Sequence, residues 1–200
     1  MTAPKALVWD TCVFMKYVVG ASDDPMTDHI NAHVADARRG ESQIFYSTIV
    51  HSEWVRNSLG EDAPDNFDGF LDDLSAAFTP VTVDVNIARM AGELRAVQPV
   101  NHQGNTSAKP RILQTPDAIQ IATALYVRDA YGFADIELHS FDMGRGKTPE
   151  GRPVPIVGFE KWYPADLRND TIKAACDLKK SKPAHPNPGF PGMSRKVGHA

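Results

Sequence analysis

Short strand-like runs that alternate with amphipathic helical segments predict an α/β fold. The expected architecture is three-layer α/β/α, with a central, mainly parallel sheet covered by helices on both faces. Three observations carry this expectation. The run at 6–9 is apolar throughout and short, as a strand buried on both faces is. Further runs at 43–46, 81–83, 137–140 and 154–157 recur along the chain. Between most of them lie segments long enough for crossover helices.

In chain order, residues 11–19 follow the first strand and carry Val13, Phe14, Tyr17 and Val18 at helical spacing, ending at Gly20. Asp24 and Pro25 open the next helix, where proline is tolerated in the first turn. Ile30, Val34 and Ala37 mark its buried face, and Arg38 and Arg39 suit its negative end. After the strand at 43–46, Ser47 or Thr48 is expected to cap a helix running to Leu59. Residues 64–78 read as another helix, with Phe67, Phe70, Leu71 and Leu74 on one side. Asp84 is expected to cap a helix from 85 to about 97. The stretch 98–114 is rich in Pro, Asn, Gln, Gly, Ser and Lys and reads as an unusually long loop. Thr115 and Pro116 begin a helix that Gly132 stops. The expected domain spans 5–164. Residues 165–200 form an extension with one short helix before about 180 and a disordered, Pro-, Gly-, Lys- and His-rich end.

The chain has 200 residues, 42% of them hydrophobic, a net charge of -4 and a pI of about 5.9. Such a chain binds no nucleic acid by total charge alone, although a bound divalent cation changes the local field. Cys12 and Cys176 are far apart and form no metal-binding pair, which suits a reducing compartment. Asp10 and Lys16 interrupt the N-terminal apolar stretch, so no signal peptide or membrane span is expected, and a soluble cytoplasmic protein follows.

Four acids fall at element boundaries or on inward faces. Asp10 follows the first strand, where an aspartate also serves as a helix cap. Glu53 follows Ile49 by four residues and Val50 by three, on the buried side of its expected helix. A glutamate there is costly unless its charge is compensated. Asp117 lies in a first helical turn, where the dipole favours an acid. Asp142 follows the fourth strand and is also compatible with a turn. Ser140 either bonds backbone or orients a carboxylate or a water. Carboxylates at the carboxyl ends of parallel strands converge on one crevice. They repel one another unless a hard cation is present, and oxygen donors suit Mg²⁺ or Mn²⁺. The chemistry indicated is metal-assisted attack on a phosphodiester.

These segments resemble the PIN domain, in particular the VapC-type toxin ribonucleases of toxin–antitoxin pairs. The resemblance rests on Leu7-Val8-Trp9-Asp10-Thr11, on Tyr46-Ser47-Thr48-Ile49-Val50-His51-Ser52-Glu53, on Thr115-Pro116-Asp117-Ala118-Ile119-Gln120-Ile121-Ala122-Thr123-Ala124 and on Leu138-His139-Ser140-Phe141-Asp142. Val81-Thr82-Val83-Asp84 and Pro153-Val154-Pro155-Ile156-Val157 add to it, and coverage runs from about 5 to 164. It implies a PIN-like fold and a Mg²⁺- or Mn²⁺-dependent endoribonuclease that hydrolyses RNA phosphodiester bonds. Asp10, Glu53, Asp117 and Asp142 match the acidic, metal-binding quartet, Ser140 the supporting hydroxyl and Thr11 the small hydroxyl residue after the first acid. A homodimer and a small inhibitory antitoxin are also implied. Departures are the chain length, Phe141 in place of a common polar residue, the insertion at 98–114 and the tail.

Lys109 and Arg111 precede Asp117, and Arg145, Lys147 and Arg152 follow Asp142. Both groups are candidates to neutralise substrate phosphates, or are ordinary solvated loop charges. Lys179, Lys180, Lys182, Arg195 and Lys196 in the tail are candidates to track nucleic acid. His29 and His33 share a helix face without a third ligand, and a solvated face is the expectation. Cys12 stands where a haloacid-dehalogenase-type phosphatase needs a second aspartate, and no glycine follows the first strand within 11–15 as a dinucleotide binder requires. A non-catalytic PIN-like module that binds RNA or protein is the alternative class, and cleavage of DNA rather than RNA is a third.

Overall fold

The computed structural model describes residues 4–20, 23–55, 59, 66–71, 75–100, 111–144 and 151–186. Their elements in order are β1 (Lys5–Trp9), α1 (Thr11–Val19), α2 (Pro25–Arg38), β2 (Ser42–Ser47), α3 (Val50–Glu53), α4 (Phe67–Leu71), β3 (Phe78–Val81), α5 (Val85–Ala96), β4 (Arg111–Ile112), α6 (Thr115–Tyr131), β5 (Ile136–His139), β6 (Arg152–Pro153), α7 (Asp170–Asp177) and β7 (Lys179–Ser181). Five strands form one parallel sheet in the order β3-β2-β1-β5-β7. The chain moves outward from β1 through β2 and β3, then returns to the other side of β1 with β5. The strand order therefore reverses between β1 and β5, and a crevice opens beyond their carboxyl ends.

Two cores lie on the two faces of this sheet. Successive residues of β1 point to opposite sides. Ala6 and Val8 pack with Ile87 and Leu94 of α5, Ile121 and Leu125 of α6 and Ile172 of α7. Leu7 and Trp9 pack with Phe14 of α1 and with Ile30 and Val34 of α2. The Phe14 ring meets Trp9, Tyr46, Phe67 and Phe78 edge-on at 5.0–5.8 Å. That aromatic cluster seats α1 directly behind the end of β1. The α/β class, the covered faces and the parallel sheet match the sequence expectation. So do the cap of α2 by Asp24, the cap of α5 by Asp84 and the left-handed Gly132 that ends α6.

Five elements differ. The helix expected over 48–59 is, among the described residues, the single turn of α3, after which Trp54 turns extended; residues 56–58 lie outside the described residues. The helix expected over 64–78 is replaced among the described residues by α4 and a 3-10 turn at Ser75–Ala77. Phe78 already belongs to β3, which begins three residues before the run at 81–83. Pro80 marks that stretch as non-strand in the sequence, but β3 is an edge strand with one neighbour and tolerates a missing donor. Part of the loop expected over 98–114 is β4, which pairs with β6 in a separate two-stranded sheet. Residues 154–157 form no strand. Val154 and Ile156 are buried there as irregular chain, with Pro155 between them unable to donate. The fifth strand of the central sheet is instead β7, so the folded unit runs past the boundary expected at 164. Residues 187–200, with Arg195 and Lys196, lie outside the described residues.

Charge rather than apolar patterning holds β7 in place, which is why its sequence gave no signal. Glu137 on β5 is buried. It accepts from Lys5 Nζ at 2.7 Å, Lys179 Nζ at 2.8 Å and Ser181 Oγ at 2.5 Å, with His139 Nε2 at 3.7 Å. Lys180 is tied down as well, donating to the carbonyls of Ala175 at 2.5 Å and Leu178 at 2.6 Å behind α7. Proline in β3 and lysines in β7 also blunt the two sheet edges against pairing with other chains. Among the described residues no helix is long and apolar enough to cross a membrane.

Burial pushes the Glu137 carboxyl up, but contacts from His139, Lys179, Lys5 and Ser181 outweigh it and hold the group far below the usual carboxylate range. A depressed carboxyl contributes stability that is full above the unfolded-state value of about 4.3 and is lost as pH falls towards the folded value. Glu137→Gln is therefore expected to cost roughly 2–3 kcal/mol at pH 7, the scale of hydrogen bonds to a charged group. In urea denaturation the gap to the parent should narrow below pH 4; a gap independent of pH would refute the clamp.

Candidate functional site

Asp10 leaves the end of β1 at the switch point, and its amide donates to His139 O of β5 at 3.1 Å. It occupies the N-cap position of α1, yet its side chain makes no capping bond. The carboxylate turns into the crevice instead. Its Oδ2 accepts from Ser140 Oγ at 2.7 Å and Cys12 Sγ at 2.9 Å. Burial raises its pKa, the hydrogen bonds oppose that rise, and the charge of Asp142 adds to it.

Ser140 joins two acids. While donating to Asp10 it accepts from the Asp142 amide at 2.9 Å. Asp142 is held on both carboxylate oxygens by backbone, Oδ1 by Gly144 N at 2.9 Å and Oδ2 by Ile156 N at 3.1 Å. Its own carbonyl accepts from Val157 N at 3.3 Å. The apolar run at 154–157 thus supplies the amides that fix Asp142, which explains its departure from a strand.

Gly144 has φ +62, and a Cβ there would lie 2.6 Å from Arg111 Nη1 and 2.8 Å from Pro153 O. Only glycine fits both the conformation and the space. Arg111, a candidate phosphate contact, is committed to this turn. It donates to Gly144 O at 3.0 Å and Pro153 O at 2.6 Å, and its guanidinium lies over the Trp162 ring at 4.1 Å.

From the other side come Glu53 and Asp117. Ending α3 at Glu53 turns that side chain, half-buried, towards α1 and α6. Its Oε2 accepts from Thr11 Oγ1 at 2.5 Å and from Gln120 Nε2 at 3.4 Å. Thr11 in turn accepts from Gln120 Nε2 at 3.2 Å. Burial raises the Glu53 pKa, Thr11 and Gln120 oppose that, and Asp10 adds to it. Asp117 sits in the first turn of α6, which Gln114 rather than Thr115 precedes as cap residue. The helix dipole should lower its pKa. Burial, Asp10, Asp142 and Glu53 instead push it up to about 8. Among the described residues nothing donates a hydrogen bond to it.

All four predicted acids and Ser140 therefore meet in one electrostatic environment at the switch point. As placed, no three His, Cys, Asp or Glu side chains among the described residues are arranged to hold a metal ion. The donor chemistry nonetheless fits a hard cation. Every candidate donor is an oxygen, Asp117 carries an uncompensated repulsion, and the buried Gln120 Oε1 has no hydrogen-bond partner. Asp10, Glu53 and Asp117 would be the candidate donors to such an ion only after their side chains rearranged. Each Asp142 oxygen already accepts one amide and retains one lone pair for sharing.

Two contributors went unnoticed in the sequence. Cys12 donates to Asp10 and accepts from Phe141 N at 3.1 Å. Gln120 is a polar residue inside the apolar face of α6, one turn after Asp117, and that interruption was the available signal. Other expectations change. Thr11 is buried, with its hydroxyl spent on Glu53 rather than exposed to substrate. His33 is buried against Ala184 O at 2.8 Å instead of solvated. Lys179 and Lys180 serve the β7 clamp rather than standing free. Arg152 is exposed on β6. Lys109, Arg145 and Lys147 lie outside the described residues.

No protein-family model and no curated protein matches this chain.

With its carboxyl pushed up to about 8, Asp117 is held largely protonated at pH 7.5, and an amide removes the cost of that protonation. In the presence of a chelator, Asp117→Asn is expected to melt at least about 2–4 °C higher than the parent, the shift that ~1 kcal/mol produces in a chain of this size. Calorimetry at pH 7.5 checks it, and an equal or lower melting temperature would contradict the electrostatic account.

Proposed function

We propose that the chain is a Mg²⁺- or Mn²⁺-dependent endoribonuclease of PIN-like type, hydrolysing RNA phosphodiester bonds as the toxin of a toxin–antitoxin pair. The observation that carries this reading is the grouping of four acids at the switch point: Ser140 bridges Asp10 and Asp142, Thr11 and Gln120 hold Glu53, and Asp117 feels the charge of the other three. A cluster that opposes its own ionisation is a poor structural device and a suitable cation cradle. The sequence resemblance supplies the substrate class, and the same resemblance supports a homodimer and a small antitoxin partner. Two free thiols, Cys12 and Cys176, suit the cytoplasm.

When bound, a divalent ion held by Asp10, Glu53 and Asp117, with Asp142 sharing it, would supply acidity to an attacking water and positive charge to the phosphodiester. The chain's own groups do the remaining work. Ser140 and Cys12 orient Asp10. The amides of Gly144 and Ile156 aim Asp142, and Thr11 aims Glu53. Glu53, Asp117 and Asp142 are partly exposed beside the buried Asp10, and RNA would approach from that side. Exposed Arg152 beside Arg111 offers a phosphate contact at its rim.

A second reading, a non-catalytic PIN-like module, is favoured by the spread of the acids, no three of which are placed around a common ion. Metal titration separates the two readings. A nuclease should melt higher in Mn²⁺, by the stabilisation that any ligand selective for the folded state gives. It should also cleave mixed cellular RNA with Mg²⁺ or Mn²⁺ and not with chelator. Asp10→Asn and Asp117→Asn should abolish cleavage while circular dichroism stays that of the parent. RNA cut by Asp117→Asn at the parent rate defeats the proposal, and a parent with neither Mn²⁺ stabilisation nor cleavage leaves the binding module.

A further inference from the structure

We infer that Gln120 is a positioning residue of the acidic site: its amide nitrogen, acting with the Thr11 hydroxyl, orients Glu53, and its carbonyl oxygen is presented to water entering the site. This deepens the nuclease reading above and rests on it. The hydrogen-bond arithmetic leaves one assignment. Thr11 has a single hydroxyl proton, and that proton is given to Glu53 Oε2 at 2.5 Å. Towards Gln120 the hydroxyl can therefore only accept, so the atom facing it at 3.2 Å must be the donating nitrogen. The same nitrogen reaches Glu53 Oε2 at 3.4 Å. Turning the amide over would set its oxygen against the lone pairs of both Thr11 and Glu53. The orientation is thus dictated by its partners and not by an arbitrary choice of amide flip.

With the nitrogen committed, Oε1 is left buried without a hydrogen-bond partner among the described residues, and Gln120 as a whole is 0% exposed. A buried amide oxygen with no donor is rare and costly, and an ordered water is a standard occupant of such a position. The residue lies one helical turn after Asp117, so Asp117 and Gln120 project from the same side of α6. Two acids from separate elements, Glu53 of α3 and Asp117 of α6, are thereby registered against each other through one buried side chain and Thr11 of α1. Groups that orient ligands in this way typically change metal affinity or rate by about 10–100-fold when removed.

The test uses Gln120→Leu, which keeps the bulk, Thr11→Val, which keeps the shape but loses the relay, and Thr11→Ser, which keeps the hydroxyl. Mn²⁺ affinity is read by electron paramagnetic resonance on RNA-free protein, together with the kcat and KM of RNA cleavage and the melting temperature in chelator. Gln120→Leu and Thr11→Val should weaken Mn²⁺ binding or lower kcat by about 10–100-fold. The KM for RNA should hold, and the chelator melting temperature should match or exceed the parent's. Thr11→Ser should restore parent behaviour. A merely structural glutamine would lower the melting temperature and leave Mn²⁺ affinity per folded molecule unchanged, and that result overturns the inference. Parent-like Mn²⁺ affinity and kcat in both variants overturns it as well while leaving the nuclease reading intact. A parent protein that binds no Mn²⁺ removes both.

Discussion

Crowding of negative charge at the end of β1 and β5 is the constraint around which this protein is arranged. Each acid there is compensated to a different degree. Among the described residues Asp142 receives two backbone amides, Asp10 a hydroxyl and a thiol, Glu53 a hydroxyl and an amide, and Asp117 nothing. The gradient runs from the sheet outward to α6. Groups nearest the strand ends are fixed by donors that the fold brings along, whereas Asp117, delivered by a helix, is left exposed to the others' field. The electrostatic cost is thereby concentrated at that one carboxyl.

Glu137 makes the contrast clear. It too is a buried carboxylate on a strand of the same sheet, yet it is surrounded by ammonium and hydroxyl donors and driven strongly towards ionisation. One end of β5 thus carries a carboxylate neutralised by the chain's own cations, and the other leads into carboxylates that the chain does not neutralise. The first arrangement is self-sufficient and structural. The second is left with its repulsion among the described residues.

The sheet, its covered faces and the four acids were legible because each leaves a local mark. Ala6 to Trp9 is an unbroken apolar run, Asp24 and Asp84 stand in front of periodic segments, and Gly132 follows one. Illegible features depend on partners distant in sequence. Lys179 to Ser181 reads as a polar tail until Glu137 is known to face it. Val154 to Val157 has the composition of a strand, but its amides are claimed by Asp142 and Ile112. Pro80 argues against a strand unless the strand is known to lie at the edge. Gln120 and Cys12 gave no such mark: an amide does not announce metal chemistry, and Cys12 stands without a second thiol near it in sequence. Their roles arise only when α1, α3 and α6 are brought together.

The late position of β7 has a kinetic side. Glu137 must find Lys5, 132 residues before it, and Lys179, 42 residues after it. Pairings of that span carry a high loop-closure cost and form slowly. During synthesis the β5 edge stays open, with its carboxylate matched by Lys5 but not yet by Lys179 or Ser181, until β7 has cleared the ribosome. The nascent chain passes through that interval as an incomplete sheet with an unprotected border, the stage at which association with chaperones or with other nascent chains is most favoured.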